Sequence, residues 1–409
     1  MQLDRRSFLK LTAAAGASSV LPAHLFGQTP AATQAGAAPR RVQLVRYPEK
    51  SDLILLTDRP PQLETPLKYF MDDMTPNEAF FVRWHLSGIP TSVDLRTFKL
   101  QVSGHVDKPL SLSVDDLQKN FEPKHIYAVA QCSGNSRSFF QPRVAGGQWG
   151  HGAVGNAKWT GIPLRDILKR AGVKAGAVDV SFGGLDKAPL PDTARFVKSL
   201  EFDHASDGQV MVAYAMNDQA LPMLNGFPLR LIVPGWFATY WVKSLNEITV
   251  LNEKFKGFWM DKAYRIPKVE GHNESPTALA TETIPITRHT CRSIIVTPAP
   301  LQRIEFGEGA KVHIEGVAFD AGEGIEKVEV STDGGQSWND AKLEDQWGKF
   351  SWRRFKYDWH PPKAGPARIM SKATNAKGET QVTQQWNRSG YQRNVIEHVD
   401  IEVFEGGKL

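Results

Sequence analysis

Cys132 stands in the run Gln131-Cys132-Ser133-Gly134-Asn135-Ser136-Arg137, directly after the apolar stretch Ile126-Tyr127-Ala128-Val129-Ala130. A lone sulfur at the mouth of a predicted strand, followed by a glycine turn and an arginine, has the chemistry of a one-thiolate ligand to a redox metal beside an anion pocket. The competing reading is an ordinary buried cysteine, or half of a disulfide with Cys291, the chain's other cysteine. Two cysteines exclude a cysteine-ligated iron–sulfur cluster, and no Cys-x-x-Cys-His occurs to attach a c-type haem.

Further groups able to do chemistry recur along the chain. Phe81-Val82-Arg83-Trp84-His85 sets an arginine and a histidine two apart, which on an extended backbone puts both on one face; a surface pair is the alternative. Arg137 adds a cation five residues beyond Cys132. Asp186 ends the turn Gly183-Gly184-Leu185-Asp186, which suits a ligand contact or simply a tight loop. Asn225-Gly226-Phe227-Pro228-Leu229-Arg230 places an arginine at the entry to an apolar strand. Trp241-Val242-Lys243 follows Pro234-Gly235, and Tyr264 sits in Asp261-Lys262-Ala263-Tyr264-Arg265.

The elements that must position these residues are short. Strands are predicted over 98–105, 178–182, 208–216 and 229–233. A helix over 114–120 has Ser113 as its N-cap. A second, over 163–171, gathers Ile162, Leu164, Ile167 and Leu168 on one face, with Pro163 in its first turn and Gly172 at its stop. No β-α-β alternation emerges, so this part reads as α+β. Beyond residue 287 strands are predicted over 311–319, 325–331, 350–359, 367–375 and 398–404, with turns such as Asp333-Gly334-Gly335 between them. That pattern predicts an all-β sandwich of immunoglobulin type. The expected organisation is a signal and linker over 1–38, a catalytic domain over 39–286 and the sandwich over 287–409.

In their order and spacing these segments resemble the sulfite oxidase family of molybdenum enzymes, most closely its bacterial periplasmic, haem-free sulfite dehydrogenases. The resemblance runs from about residue 76 to the C-terminus. It implies that Cys132 binds molybdenum beside the dithiolene of one molybdopterin (a pyranopterin). It further implies that His85, Asp186, Asn225, Arg230 and Lys243 grip the phosphate-bearing pterin, with backbone from Phe81, Val82, Arg83, Trp84, Trp241 and Val242. Arg83, Arg137 and Tyr264 would face the open metal position, with Trp149 on the wall, and would act catalytically together with Cys132. The implied reaction is sulfite and water to sulfate, with electrons leaving to a separate c-type cytochrome and the sandwich forming a homodimer. Ser136 stands where many relatives have an arginine, and Asn225 where vertebrate members have a histidine. A further arginine that some members carry at the pocket has no assignable position. A reductase of sulfoxides or nitrate, and a non-catalytic immunoglobulin-like binding protein, are the alternatives.

The N-terminus carries Asp4-Arg5-Arg6-Ser7-Phe8-Leu9-Lys10 before a weakly apolar stretch over 11–21. That is the pattern of a twin-arginine export signal and predicts a periplasmic protein. The stretch is well short of the ~20 apolar residues of a membrane span. A formal net charge of +5, part of it in that segment, gives no reason to expect nucleic acid as a partner.

Overall fold

The structure is a computed structural model that describes residues 42–405 apart from residue 308. The twin-arginine segment and the cleavage region lie outside the described residues. No helix among the described residues is long and apolar enough to cross a membrane.

Three sheets carry most of the groups singled out above, and Tyr264 directly precedes the separate strand pair Arg265–Pro267 and Thr283–Pro285. In the first, the strands run in the order Val197–Glu201, Asp179–Gly184, Leu245–Leu251, Leu100–Gly104 and Leu110–Leu112. The central pair, Leu245–Leu251 with Leu100–Gly104, is parallel and its neighbours are antiparallel. In the second, Lys124–Gln131 lies antiparallel to the ten-residue strand Val154–Pro163, which pairs with Met211–Met216; Arg230–Ile232 joins that third strand. The third is a four-stranded antiparallel sheet from Leu44–Arg46 through Asp52–Thr57 and Gln62–Glu64 to Val82–Arg83.

The helices obey the sequence signals. Ser113 Oγ accepts from Asp116 N at 3.0 Å while Asp116 Oδ2 accepts from Ser113 N at 2.8 Å, closing a capping box at the start of Val114–Asn120. Leu164–Ala171 buries Leu164, Ile167, Leu168 and Ala171 and stops at Gly172, whose φ of +67° only glycine adopts freely. Pro163 belongs to the preceding strand and serves as the N-cap. The helical share is smaller than an α+β reading suggests. Among the described residues the other α-helices, Phe202–Ala205 and Phe258–Asp261, have four residues each.

The C-terminal part is two packed sheets. One orders Arg292–Thr297, Val312–Phe319, Arg353–Trp359 and Lys342–Leu343; the other orders Arg303–Phe306, His398–Glu405, Gly365–Asn375, Ile325–Ser331 and Asn339–Asp340. Ile314 and Phe355 from the first share an apolar cluster with Val328, Ile369 and Ile401 from the second. Cys291 sits in that cluster as a free thiol, pushed up to about 12 by burial. The disulfide reading of Cys132 is thereby excluded, since Cys132 is free as well.

Candidate active site

Cys132 is placed by the strand that precedes it and the loop that follows. The register of the antiparallel pair ends at Gln131 opposite Val154, and Cys132 N still donates to Ala153 O at 2.9 Å. The chain then turns back on itself. Asn135 N donates to Cys132 O at 2.9 Å, and Asn135 Oδ1 accepts from Ala153 N at 3.0 Å. A Cβ on Gly134 would lie 2.7 Å from the Arg137 guanidinium, so the glycine in this loop lets the arginine pack over it without being displaced. Ser136, at φ +67°, turns its hydroxyl to His151 Nδ1 at 2.7 Å and accepts from the buried Arg292 Nη2 at 2.7 Å.

Two cavities meet at Cys132, Arg83 and Tyr264. The first encloses about 390 Å³, open mouth included, and is walled by cations: Arg83, Arg230 and Lys243 line it with His85 and Asn225. Burial pushes Lys243 down to about 7, with Arg230 and Arg83 adding repulsion, and pushes Arg230 down to about 9. Burial also holds His85 well below the usual imidazole range, with Arg83 and Lys243 adding to the shift. Arg83 Nη1, Ser133 Oγ, Arg230 Nε and Thr239 Oγ1 are buried without a hydrogen-bond partner among the described residues. Orphaned buried donors beside mutually repelling cations are expensive unless an anion with many acceptors joins them.

The second cavity, about 490 Å³ with its mouth, opens from the same sulfur toward solvent. Arg83 and Arg137 are its cations and Trp149, Gln62 and Tyr391 its walls. Gln62 pairs across the sheet with Arg83. Arg137 donates from Nη1 to Gly147 O and from Nη2 to Ser389 O, both at 3.2 Å. Tyr264, at φ +58°, is buried, and its hydroxyl lies 2.5 Å from His85 Nε2. Burial raises the Tyr264 pKa, so the hydroxyl keeps its proton at neutral pH. The His85 ring stacks on Phe196 with centroids 3.6 Å apart.

The structure brings together most of the residues singled out by sequence. Phe81, Arg83, His85, Cys132, Asn225, Arg230, Lys243 and Tyr264 line the first cavity, and Arg137 and Trp149 the second. The side chains of Val82, Trp84, Trp241, Val242 and Asp186 are not among the lining residues. Val82 and Trp84 pack with Leu53 and Leu63, and Trp241 packs edge-on to Trp159. Asp186 is buried; burial raises its pKa, opposed by the charge of Lys243. The Asn225 amide is bonded within the protein: Nδ2 donates to Phe81 O at 3.0 Å and Oδ1 accepts from the Lys50 ammonium. Lys50, Gln62, Ser389 and Tyr391 carry no motif that singles them out.

Among the described residues no group of three or more His, Cys, Asp or Glu side chains could hold a metal.

The molybdopterin binding domain of oxidoreductases matches residues 86–259, and the dimerisation domain of Mo-co oxidoreductases matches residues 284–404. Rat mitochondrial sulfite oxidase is 34% identical over 85% of this chain, and the chain spans 65% of that protein's length. Sulfite oxidase of Arabidopsis thaliana is 31% identical over 68% of this chain and 72% of its own. The crystal structure of the sulfane dehydrogenase SoxCD from Paracoccus pantotrophus superposes with a TM-score of 0.74 at 23% identity, covering 98% of this chain and 97% of that one.

Proposed function

This chain belongs to the sulfite oxidase family of molybdopterin-dependent oxidoreductases, and from that premise we propose that it oxidises sulfite to sulfate in the periplasm. Its electrons pass to a separate c-type cytochrome. The observation that carries the proposal is the sulfur of Cys132 shared by two cation-lined cavities, one with Arg83, Arg230 and Lys243 and the other with Arg83 and Arg137.

The residues present fit the cofactor. Arg230 and Lys243 meet the demand of a phosphate-bearing group for charge-assisted donors, and Ser133 and Thr239 add unspent hydroxyls. Cys132 is the protein's sulfur ligand to molybdenum, and the bound cofactor supplies two-electron oxygen-atom transfer. Sulfite and water give sulfate, two protons and two electrons, and the cytochrome takes the electrons one at a time.

The chain's own residues bind and orient. Arg83 and Arg137 hold the dianion from two sides of the second cavity; Arg137 is fixed by its two carbonyl acceptors, and Arg83 has a free Nη1. Tyr264 keeps its proton and is steered by His85, so its oxygen stays beside Cys132 and Arg83. Two arginines facing an open mouth draw anions by their field, so the sulfite on-rate falls as salt rises.

We assign residues 39–286 as the catalytic domain and 287–409 as an immunoglobulin-type sandwich that forms a homodimer; light scattering giving a monomer would remove the latter. Metal analysis with electron paramagnetic resonance, before and after sulfite, tests the central claim. Turnover is assayed with sulfite and ferricytochrome c, against nitrate and methionine sulfoxide with a reduced dye. Turnover confined to the reductive assays would overturn the direction of the reaction.

A further inference from the structure

The C-terminal segment over 387–392 lines the second cavity through Ser389 and Tyr391, and beyond the Ser389 carbonyl that holds Arg137 it has no role in the mechanism above. It is tied to the Cys132 loop at two points: Arg137 Nη2 donates to Ser389 O at 3.2 Å, and Gln392 N donates to Ser133 O at 3.0 Å. Tyr391 lies between the ties and is bracketed by the buried Asn387 just before them. Asn387 Nδ2 donates to Tyr391 O at 3.0 Å and its Oδ1 accepts from Tyr391 N at 3.2 Å. Gly390 sits at φ +57°, and a Cβ there would fall 2.8 Å from Arg137 Nε. So held, the Tyr391 ring lies parallel to Tyr264, with centroids 5.4 Å and planes 5° apart. The Arg137 guanidinium carbon is 4.9 Å from its centroid.

The two tyrosines differ in what they can give. Tyr264 shares its hydroxyl with His85 Nε2, and in the tautomer where that nitrogen accepts, its proton is already committed. Tyr391 has Arg137, a group that only donates, stacked over its ring. An arginine cannot take the proton of the Tyr391 hydroxyl, and burial raises its pKa so that the proton stays on at neutral pH. Tyr391 lines the second cavity together with Arg83, Arg137 and Cys132, the space where a small anion would bind.

We infer that Tyr391 is a substrate-binding residue, its hydroxyl donating to an oxygen of the anion held by Arg83 and Arg137. The inference rests on the oxyanion reading of the second cavity. It makes Tyr391, from outside the molybdopterin-binding match, a determinant of which small oxyanions are retained. Substrates with an oxygen turned toward the C-terminal wall are favoured over those that present carbon or sulfur there.

Tyr391→Phe in the holoenzyme keeps the ring and its stacking on Arg137 and removes the donor alone. The KM for sulfite and the inhibition constant of sulfate are both expected to rise about ten-fold, or about 1.4 kcal/mol, with kcat changed less than about two-fold. Isothermal titration calorimetry with sulfate, run on both proteins, reads binding without turnover. Unchanged constants, or a loss of kcat at constant KM, would overturn the assignment. If the wild type fails to oxidise sulfite, the proposed reaction falls, yet the sulfate titration still decides Tyr391. Weaker sulfate binding in the variant upholds the role and equal binding removes it.

Discussion

Arg83→Gln distinguishes a substrate contact from a cofactor contact, because Arg83 is shared by both cavities. Its Nη1 is buried with no partner among the described residues, so it awaits an acceptor. One charge-assisted hydrogen bond to an oxyanion contributes about 1.5–3 kcal/mol. Losing it corresponds to roughly a 10- to 150-fold rise in KM. On the cofactor side the substitution acts in the opposite sense. Arg83 contributes to the depression of both Lys243 and His85, so removing its charge makes Lys243 easier to protonate and a stronger phosphate partner. Pterin occupancy is therefore expected to hold while sulfite affinity falls. The assay is steady-state oxidation of sulfite at saturating ferricytochrome c, on enzyme whose molybdenum and pterin contents have been measured. A KM within about two-fold of wild type, at full cofactor content, would refute the reasoning.

Cys132→Ser is expected to abolish sulfite oxidation while leaving pterin bound, since the phosphate-binding cations are untouched; retained turnover would remove the ligand assignment. Lys50→Met leaves Asn77 O, Phe80 O and Asn225 Oδ1 without their shared donor inside the protein. A loss of at least about 2 kcal/mol by denaturant unfolding, with lower pterin content, is expected from several unsatisfied buried acceptors; an unchanged midpoint would show that Lys50 is dispensable. Cofactor-free protein should grow more stable as pH rises. Lys50, Lys198 and Lys243 are each pushed down to about 7 by burial, whereas in the unfolded chain they hold their protons to about 10.4. Between those values the unfolded chain binds more protons, so the burial penalty, full below pH 7, is relieved on going toward pH 10. A Tm that is flat or falls between pH 7 and 9 would contradict this.

The site is legible in sequence where chemistry and local geometry share one stretch of chain. The apolar run ending at Ala130 announces a strand, and Ser-Gly-Asn after Cys132 announces the turn that the hydrogen bonds of Asn135 now close. Arg83 and His85 reach the same cavity, as an extended backbone requires. The unread part arises by long-range convergence. Lys50 looks like a surface lysine beside Glu49, yet its ammonium is buried against carbonyls near residue 80 and the amide of Asn225. Gln62 sits on a three-residue strand too short to show a pattern, and Tyr391 lies in a segment without regular structure. Periodicity carries no signal for such contacts. Val82 and Trp84 show the converse: they flank the key arginine in sequence but pack against Leu53 and Leu63 on the opposite face.

The carbonyl of Ser389 that receives Arg137 crosses the cut between the two matched family regions. A chimera that grafts the C-terminal module of a relative onto residues up to about 284 would exchange a wall of the reaction chamber along with any assembly surface. Such hybrids should inherit part of their substrate preference from the donor of the tail. The two regions can be told apart by descent, but they are not interchangeable parts.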